Sequence, residues 1–149
     1  MINKVGLDLI KKYESCSLKP YWCPSQKLTV GWGHVILQED NIRFHDEITQ
    51  ECADELLQND LKRFEDAIDR LVKVSLNENQ RSALVSFCFN IGDGAFAKST
   101  LLRKLNQGDY LGVPMEMTRW VKGTRNGVKI ILPGLVKRRS DEGELFSMK

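Results

Sequence analysis

Glu14-Ser-Cys-Ser-Leu-Lys-Pro-Tyr-Trp-Cys23-Pro-Ser-Gln-Lys-Leu-Thr29-Val-Gly-Trp-Gly-His34 is where the chain stops reading as a helix and starts reading as strand and turn. Upstream, Val5, Leu9 and Ile10, with Leu7 at their edge, place apolar residues at helical spacing and predict a short helix ending near Glu14. Within the stretch, Pro20, Pro24, Gly31 and Gly33 punctuate short runs such as Lys19-Pro-Tyr-Trp and Lys27-Leu-Thr-Val. That punctuation predicts a small twisted hairpin. Glu14 therefore sits where a helix gives way to a hairpin, an address at the mouth of a cleft between two lobes.

Downstream, Ala53, Leu56, Leu57, Leu61, Phe64, Ile68, Leu71 and Val72 recur every three or four residues. They predict an amphipathic helix from about Thr49, its N-cap, to Lys73, long enough to join two lobes. Asn77 and Gln80 form a capping-box pattern before Arg81–Ile91, whose apolar centre leaves no polar stripe and predicts a buried helix ended by Gly92 and Gly94. Phe87 and Phe89 read as core. Ser99 caps a short helix through Leu105, stopped at Gly108. Pro114 and Pro133 suit first helical positions, predicting helices near Met115–Val121 and Gly134–Phe146, with a turn at Asn126-Gly127.

The 149 residues suffice for one compact domain of two lobes with a real core. A net charge of +2 selects no partner, but its distribution is uneven. Between Met117 and Ser140 the charged residues are Arg119, Lys122, Arg125, Lys129, Lys137, Arg138 and Arg139, without a carboxylate. This stretch is either a solvated basic surface or an approach to an anionic polymer. No aromatic-rich nucleic-acid motif accompanies it, so a nucleic-acid partner is not expected. Cys16, Cys23, Cys52 and Cys88 form no C-x-x-C pair, so neither a metal site nor a disulfide framework is expected. The N-terminal residues show no apolar run fit for a signal peptide or membrane span, which predicts accumulation in the cytosol and no stable membrane insertion.

One Glu at a helix end is weak evidence of catalysis. A helix terminus turning its negative dipole toward a carboxyl group, and aromatic neighbours such as Tyr21 and Trp22, suit an acid that must carry a proton to a leaving oxygen. The spacing adds more. Glu14, eight residues, Cys23, five residues, Thr29, then Gly31-Trp-Gly-His34 resembles the phage lysozymes, the endolysin family of glycoside hydrolases. The resemblance continues in Asn79-Gln-Arg-Ser-Ala-Leu-Val-Ser-Phe-Cys-Phe-Asn-Ile-Gly-Asp-Gly-Ala-Phe, Ser99-Thr-Leu-Leu-Arg-Lys-Leu-Asn, Arg119-Trp-Val and Leu132-Pro-Gly-Leu-Val-Lys-Arg-Arg. It spans nearly the whole chain.

That resemblance implies an α+β, mostly α, lysozyme-like fold: an N-terminal lobe (about 1–50) with a β-hairpin, a connecting helix (about 50–74) and a helical C-terminal lobe (about 75–149). It implies hydrolysis of the β-1,4 bond between N-acetylmuramic acid and N-acetylglucosamine in peptidoglycan, without a cofactor, by a monomer. The enzyme would be made in the host cytoplasm and would reach the periplasmic wall after a phage holin permeabilises the membrane.

By matched position Glu14 is the acid, Cys23 takes the second catalytic place and Thr29 helps hold the attacking water. Cys23 departs from the commoner Asp. It is a partly ionised thiol assisting the water, a half-buried filler, or a covalent nucleophile. Thr29 alone would read as an ordinary strand residue. His34 reads as structural beside Gly31 and Gly33, tying the hairpin down through a hydrogen bond or ion pair. Asn90 either lines the sugar groove or terminates the buried helix; Trp32 either packs the hairpin or stacks on a sugar. The competing functions are a lytic transglycosylase, which forms a 1,6-anhydro product with one Glu and no water, and a non-catalytic wall-binding protein.

Overall fold

The computed structural model describes residues 1–149. In chain order it forms α1 (Lys4–Tyr13), β1 (Ser17–Trp22), β2 (Leu28–Gly31), β3 (His34–Val35), α2 (Gln50–Leu71), α3 (Glu78–Ile91), α4 (Asp93–Ala97), α5 (Thr100–Asn106), α6 (Val113–Met117), β4 (Lys122–Arg125), β5 (Val128–Ile131) and α7 (Pro133–Ser147). Two compact units emerge: Glu14–Arg63, and Met1–Tyr13 together with Phe64–Lys149. No helix is long and apolar enough to cross a membrane.

The unit Glu14–Arg63 is built on an antiparallel sheet of order β1-β2-β3, one strand more than a hairpin. Tyr21 faces Thr29, Trp22 faces Leu28, and Val30 faces His34 across the ladders. A small core of Val30, Ile48 and Ala53, flanked by Leu18, Trp32, Ile36 and Leu56, holds the sheet against the start of α2. Gly31 makes this approach possible: its φ is +67°, and a Cβ there would lie 3.3 Å from that of Ala53. Thr49 caps α2 as its sequence predicts, its hydroxyl accepting from the Cys52 amide at 3.1 Å.

In the other unit α3 is the buried centre, with Ser82 through Cys88 all removed from solvent. Its start is a capping box: Asn77 accepts from the Gln80 amide at 2.7 Å, and Gln80 accepts from the Asn77 amide at 2.9 Å. α7 and α1 pack on it. α1 buries Gly6, Leu9 and Ile10, leaves Val5 exposed, and clusters with these helices rather than with the strands it precedes. Phe87 is fully buried, whereas Phe89 is only half-buried, edge-on to Phe64 at 5.3 Å. Full burial of side chains such as Ile10, Leu84 and Phe96 contributes about 1.5–3 kcal/mol each.

Two expectations are corrected here. The helix opened by Pro114 ends at Met117, and Lys122–Ile131 is a β-hairpin. Asn126 and Gly127 both take positive φ (53° and 77°), the pair of left-handed residues that a tight two-residue hairpin turn needs. The basic stretch is not uniformly solvated either: Arg138 and Arg139 are buried and share the carboxylate of Glu142.

Candidate active site

Three of the predicted site residues fall in the unit Glu14–Arg63. Glu14 directly follows the last residue of α1 and is half-buried. Its Oε1 would stand 3.9 Å from a Cβ at Gly33, whose φ of +87° turns β2 into β3. Thr29 is buried on β2, with its hydroxyl donating to the Lys27 carbonyl at 3.0 Å. Cys23 opens the β1–β2 loop. Its amide donates to the Lys27 carbonyl at 3.0 Å, and its own carbonyl accepts from the Gln26 amide at 2.8 Å, with Gln26 in the left-handed region (φ 63°).

Amide and hydroxyl groups of this closed loop act on the Cys23 sulfur. The Lys27 amide is the strongest influence; burial opposes it, and Thr29 and the amide and hydroxyl of Ser25 add to it. The balance lowers the thiol from 9.0 to about 7. The thiolate is therefore within reach at neutral pH. A loop of amides and hydroxyls stabilises a negative charge whether a carboxylate or a sulfur carries it.

Tyr21 feels the charges of both Glu14 and Cys23. Its phenol is raised first by burial, then by the negative charges of Cys23, Glu14 and Cys16, so one hydroxyl stands within electrostatic reach of both site residues. Tyr21 stands opposite Thr29 on β2 and two residues before Cys23, and that closeness in the chain is the signal for it in the sequence. Ser25 and Lys27 act through loop geometry that spacing alone does not reveal.

His34 is buried between two carboxylates. Nε2 lies 2.7 Å from Asp40 Oδ2, and Nδ1 lies 2.8 Å from Asp60 Oδ2. Asp60 raises it most, burial opposes, and Asp40 adds, moving the imidazole from 6.5 to about 9. The ring is therefore a cation that pins β3 to α2 and to the segment after β3. Trp32 is half-buried against the Val30–Ile48–Ala53 core, and its indole donates to Asp54 at 2.8 Å. Asn90 belongs to the other unit, exposed near the end of α3, where its side-chain oxygen accepts from the Arg139 guanidinium. The four sulfurs are free thiols, and no group of three or more His, Cys, Asp or Glu is arranged to hold a metal.

A carboxyl group at a helix end, an ionisable sulfur in a loop and a buried hydroxyl on a small sheet, with helices making up most of the chain, describe a lysozyme-type glycosidase. The phage lysozyme family profile matches residues 11–142, and the chain belongs to that family. It is 44% identical over 145 residues to the endolysin of Acyrthosiphon pisum secondary endosymbiont phage 1, covering 97% of each chain. Its fold is similar to that of the muramidase domain of SpmX from Asticaccaulis excentricus (TM-score 0.91, 36% identity, covering 100% of this chain and 99% of that one). A P22 lysozyme mutant is similar too, with TM-score 0.85, 37% identity, and 98% and 97% coverage.

Proposed function

We propose that Glu14 protonates the leaving oxygen while the Cys23 thiolate and Thr29 handle the attacking water, in a peptidoglycan hydrolase that lyses the bacterial host. The bond cut is the β-1,4 link from N-acetylmuramic acid to N-acetylglucosamine. Glu14 gives its proton to the departing sugar oxygen, Cys23 Sγ accepts one from water, and the resulting hydroxide attacks the anomeric carbon. The Thr29 hydroxyl orients that water from β2, beside the loop that carries the sulfur. A base whose pKa lies near 7 is matched to proton transfer at neutral pH. The observation that carries this reading is the closed β1–β2 loop, which holds Cys23 beside the buried Thr29 and lowers its thiol toward the anionic form that the role demands.

Asn90 and Trp32 are assigned to substrate binding on the same reading, with His34, Gly31 and Gly33 holding the hairpin that carries the site. The enzyme works as a monomer made in the host cytoplasm, and a holin admits it to the wall. Lysis timed in hosts with and without a holin checks that delivery.

Mass analysis of products from purified peptidoglycan tests the chemistry. Wild-type protein should leave reducing muramic acid ends, and Glu14→Gln should reduce turnover by at least ~100-fold while wall binding persists. Products ending in 1,6-anhydro sugar would replace hydrolysis by transglycosylation. Undiminished turnover by Glu14→Gln would remove the acid from its role.

A further inference from the structure

The unit formed by Met1–Tyr13 and Phe64–Lys149 contains a pocket of about 580 Å³, within the usual range of ligand sites. Its lining carries one carboxylate, Glu116, and four cations: Arg119, Lys122, Lys129 and Arg139. The carboxylate is already committed. Glu116 is buried and bridges Lys104 at 3.2 Å and Arg119 at 3.4 Å. Behind it, one Glu142 serves both Arg138 (3.2 Å) and Arg139 (2.8 Å), so a cation is left in excess in the protein interior.

Arg139 is 1% exposed and fully tied up. It donates to the Trp120 carbonyl at 2.8 Å, to Glu142 and to Asn90, and lies over the Phe87 ring at 5.0 Å. It is a fixed positive floor rather than a mobile arm. Burial, and repulsion from Arg138, disfavour its charged form, which Glu142 supports. An incoming anion would relieve the same imbalance. The lining also carries exposed charges: Lys122 and Lys129 are exposed on β4 and β5, and the ion pairs of this region go to Glu116 and Glu142 instead.

In peptidoglycan N-acetylglucosamine is neutral and the lactyl carboxyl of N-acetylmuramic acid is consumed in the amide bond to the peptide stem, so the negative charges of a stem-bearing strand lie on the carboxylates of its peptides. We propose that this pocket reads a free carboxylate on the peptide stem, with Lys122 and Lys129 of the β4–β5 hairpin as specificity-determining residues. Arg119 shares the anion, and Trp120 offers an apolar wall to the peptide backbone. This rests on the assignment of peptidoglycan as substrate, and it makes the enzyme selective for walls whose stem carboxylates are not amidated.

The test compares wild-type protein with the Lys122→Gln/Lys129→Gln variant on two purified walls, one native and one with its stem carboxylates chemically amidated. On the native wall the variant should show KM raised about fivefold with kcat held within about twofold, the size expected for two exposed charge contacts. On the amidated wall the two proteins should have the same KM. An unchanged KM on the native wall, or an equal loss on both walls, would overturn the proposal. Co-sedimentation of each protein with the two insoluble walls gives the same comparison without turnover. A catalytically dead enzyme would then contradict the roles of Glu14 and Cys23 while still deciding the pocket.

Discussion

The two units hold their buried charges in opposite ways. Around the candidate site a cation, His34, lies between two carboxylates, Asp40 and Asp60; in the helical unit a carboxylate, Glu142, lies between two cations, Arg138 and Arg139. The first arrangement carries an excess negative charge and the second an excess positive one. They also differ in what pH can do to them. Imidazole and thiol titrate at about 9 and about 7, whereas a guanidinium keeps its proton at any pH the protein meets. The buried cluster of the helical unit is thus electrostatically fixed, and the groups that titrate nearer neutral pH, His34 and Cys23, lie in Glu14–Arg63.

The strongest way to break this comparison is to remove the shared anion. Glu142→Gln leaves two buried guanidinium groups without a counter-charge, and should cost about 3–5 kcal/mol in urea unfolding, by a similar amount at pH 5 and at pH 7. A loss under about 1 kcal/mol would mean that the arginines are not held by it.

His34 sharpens the other side. Its folded value is raised above the ordinary 6.5, so the stabilisation is complete below that pH and is lost as pH rises through about 9. The Cys23 thiol, held low in the fold, moves stability the opposite way over the same range, so the wild type is compared with His34→Gln, in which that contribution is unchanged. The stability advantage of wild type over His34→Gln, measured by unfolding, should shrink by an amount on the order of 2 kcal/mol between pH 7 and pH 10, after allowance for the water around the half-exposed Asp60. An advantage that does not change with pH would place the charge elsewhere.

The smallest effect is local to α3. Asn77→Ala removes the cap on the Gln80 amide and should cost about 1 kcal/mol, uniform in pH, in the same unfolding series.

Much of this fold is legible from periodicity and punctuation. The α2 and α3 patterns, the caps at Thr49, Asn77 and Ser99, and the prolines opening α6 and α7 all act through contacts within a few residues. The β4–β5 hairpin is less visible because nearly all of it is exposed, so no alternation of buried and solvated residues marks it; only Asn126-Gly127 does. The burial of Arg138 and Arg139 is also hidden, since it depends on Glu142, Asn90 and the Trp120 carbonyl, gathered from three places in the chain. At the candidate site, the proposed roles of Glu14, Cys23 and Thr29 rest on their spacing in the sequence. The donors that change the sulfur, the amides of Ser25 and Lys27, are backbone groups whose direction exists only after the loop has folded.

That sulfur holds the central claim, and the rate of purified peptidoglycan hydrolysis by Cys23→Ala, from about pH 5 to about pH 8, tests it most directly. Wild-type activity should rise with pH through about 7, as the thiolate forms. Cys23→Ala should lose the rising limb and about 100-fold or more in rate, while Cys23→Asp keeps activity and moves the limb down to the carboxylate range. An alanine variant that hydrolyses the wall at the parent rate, with the limb still near 7, would contradict the account.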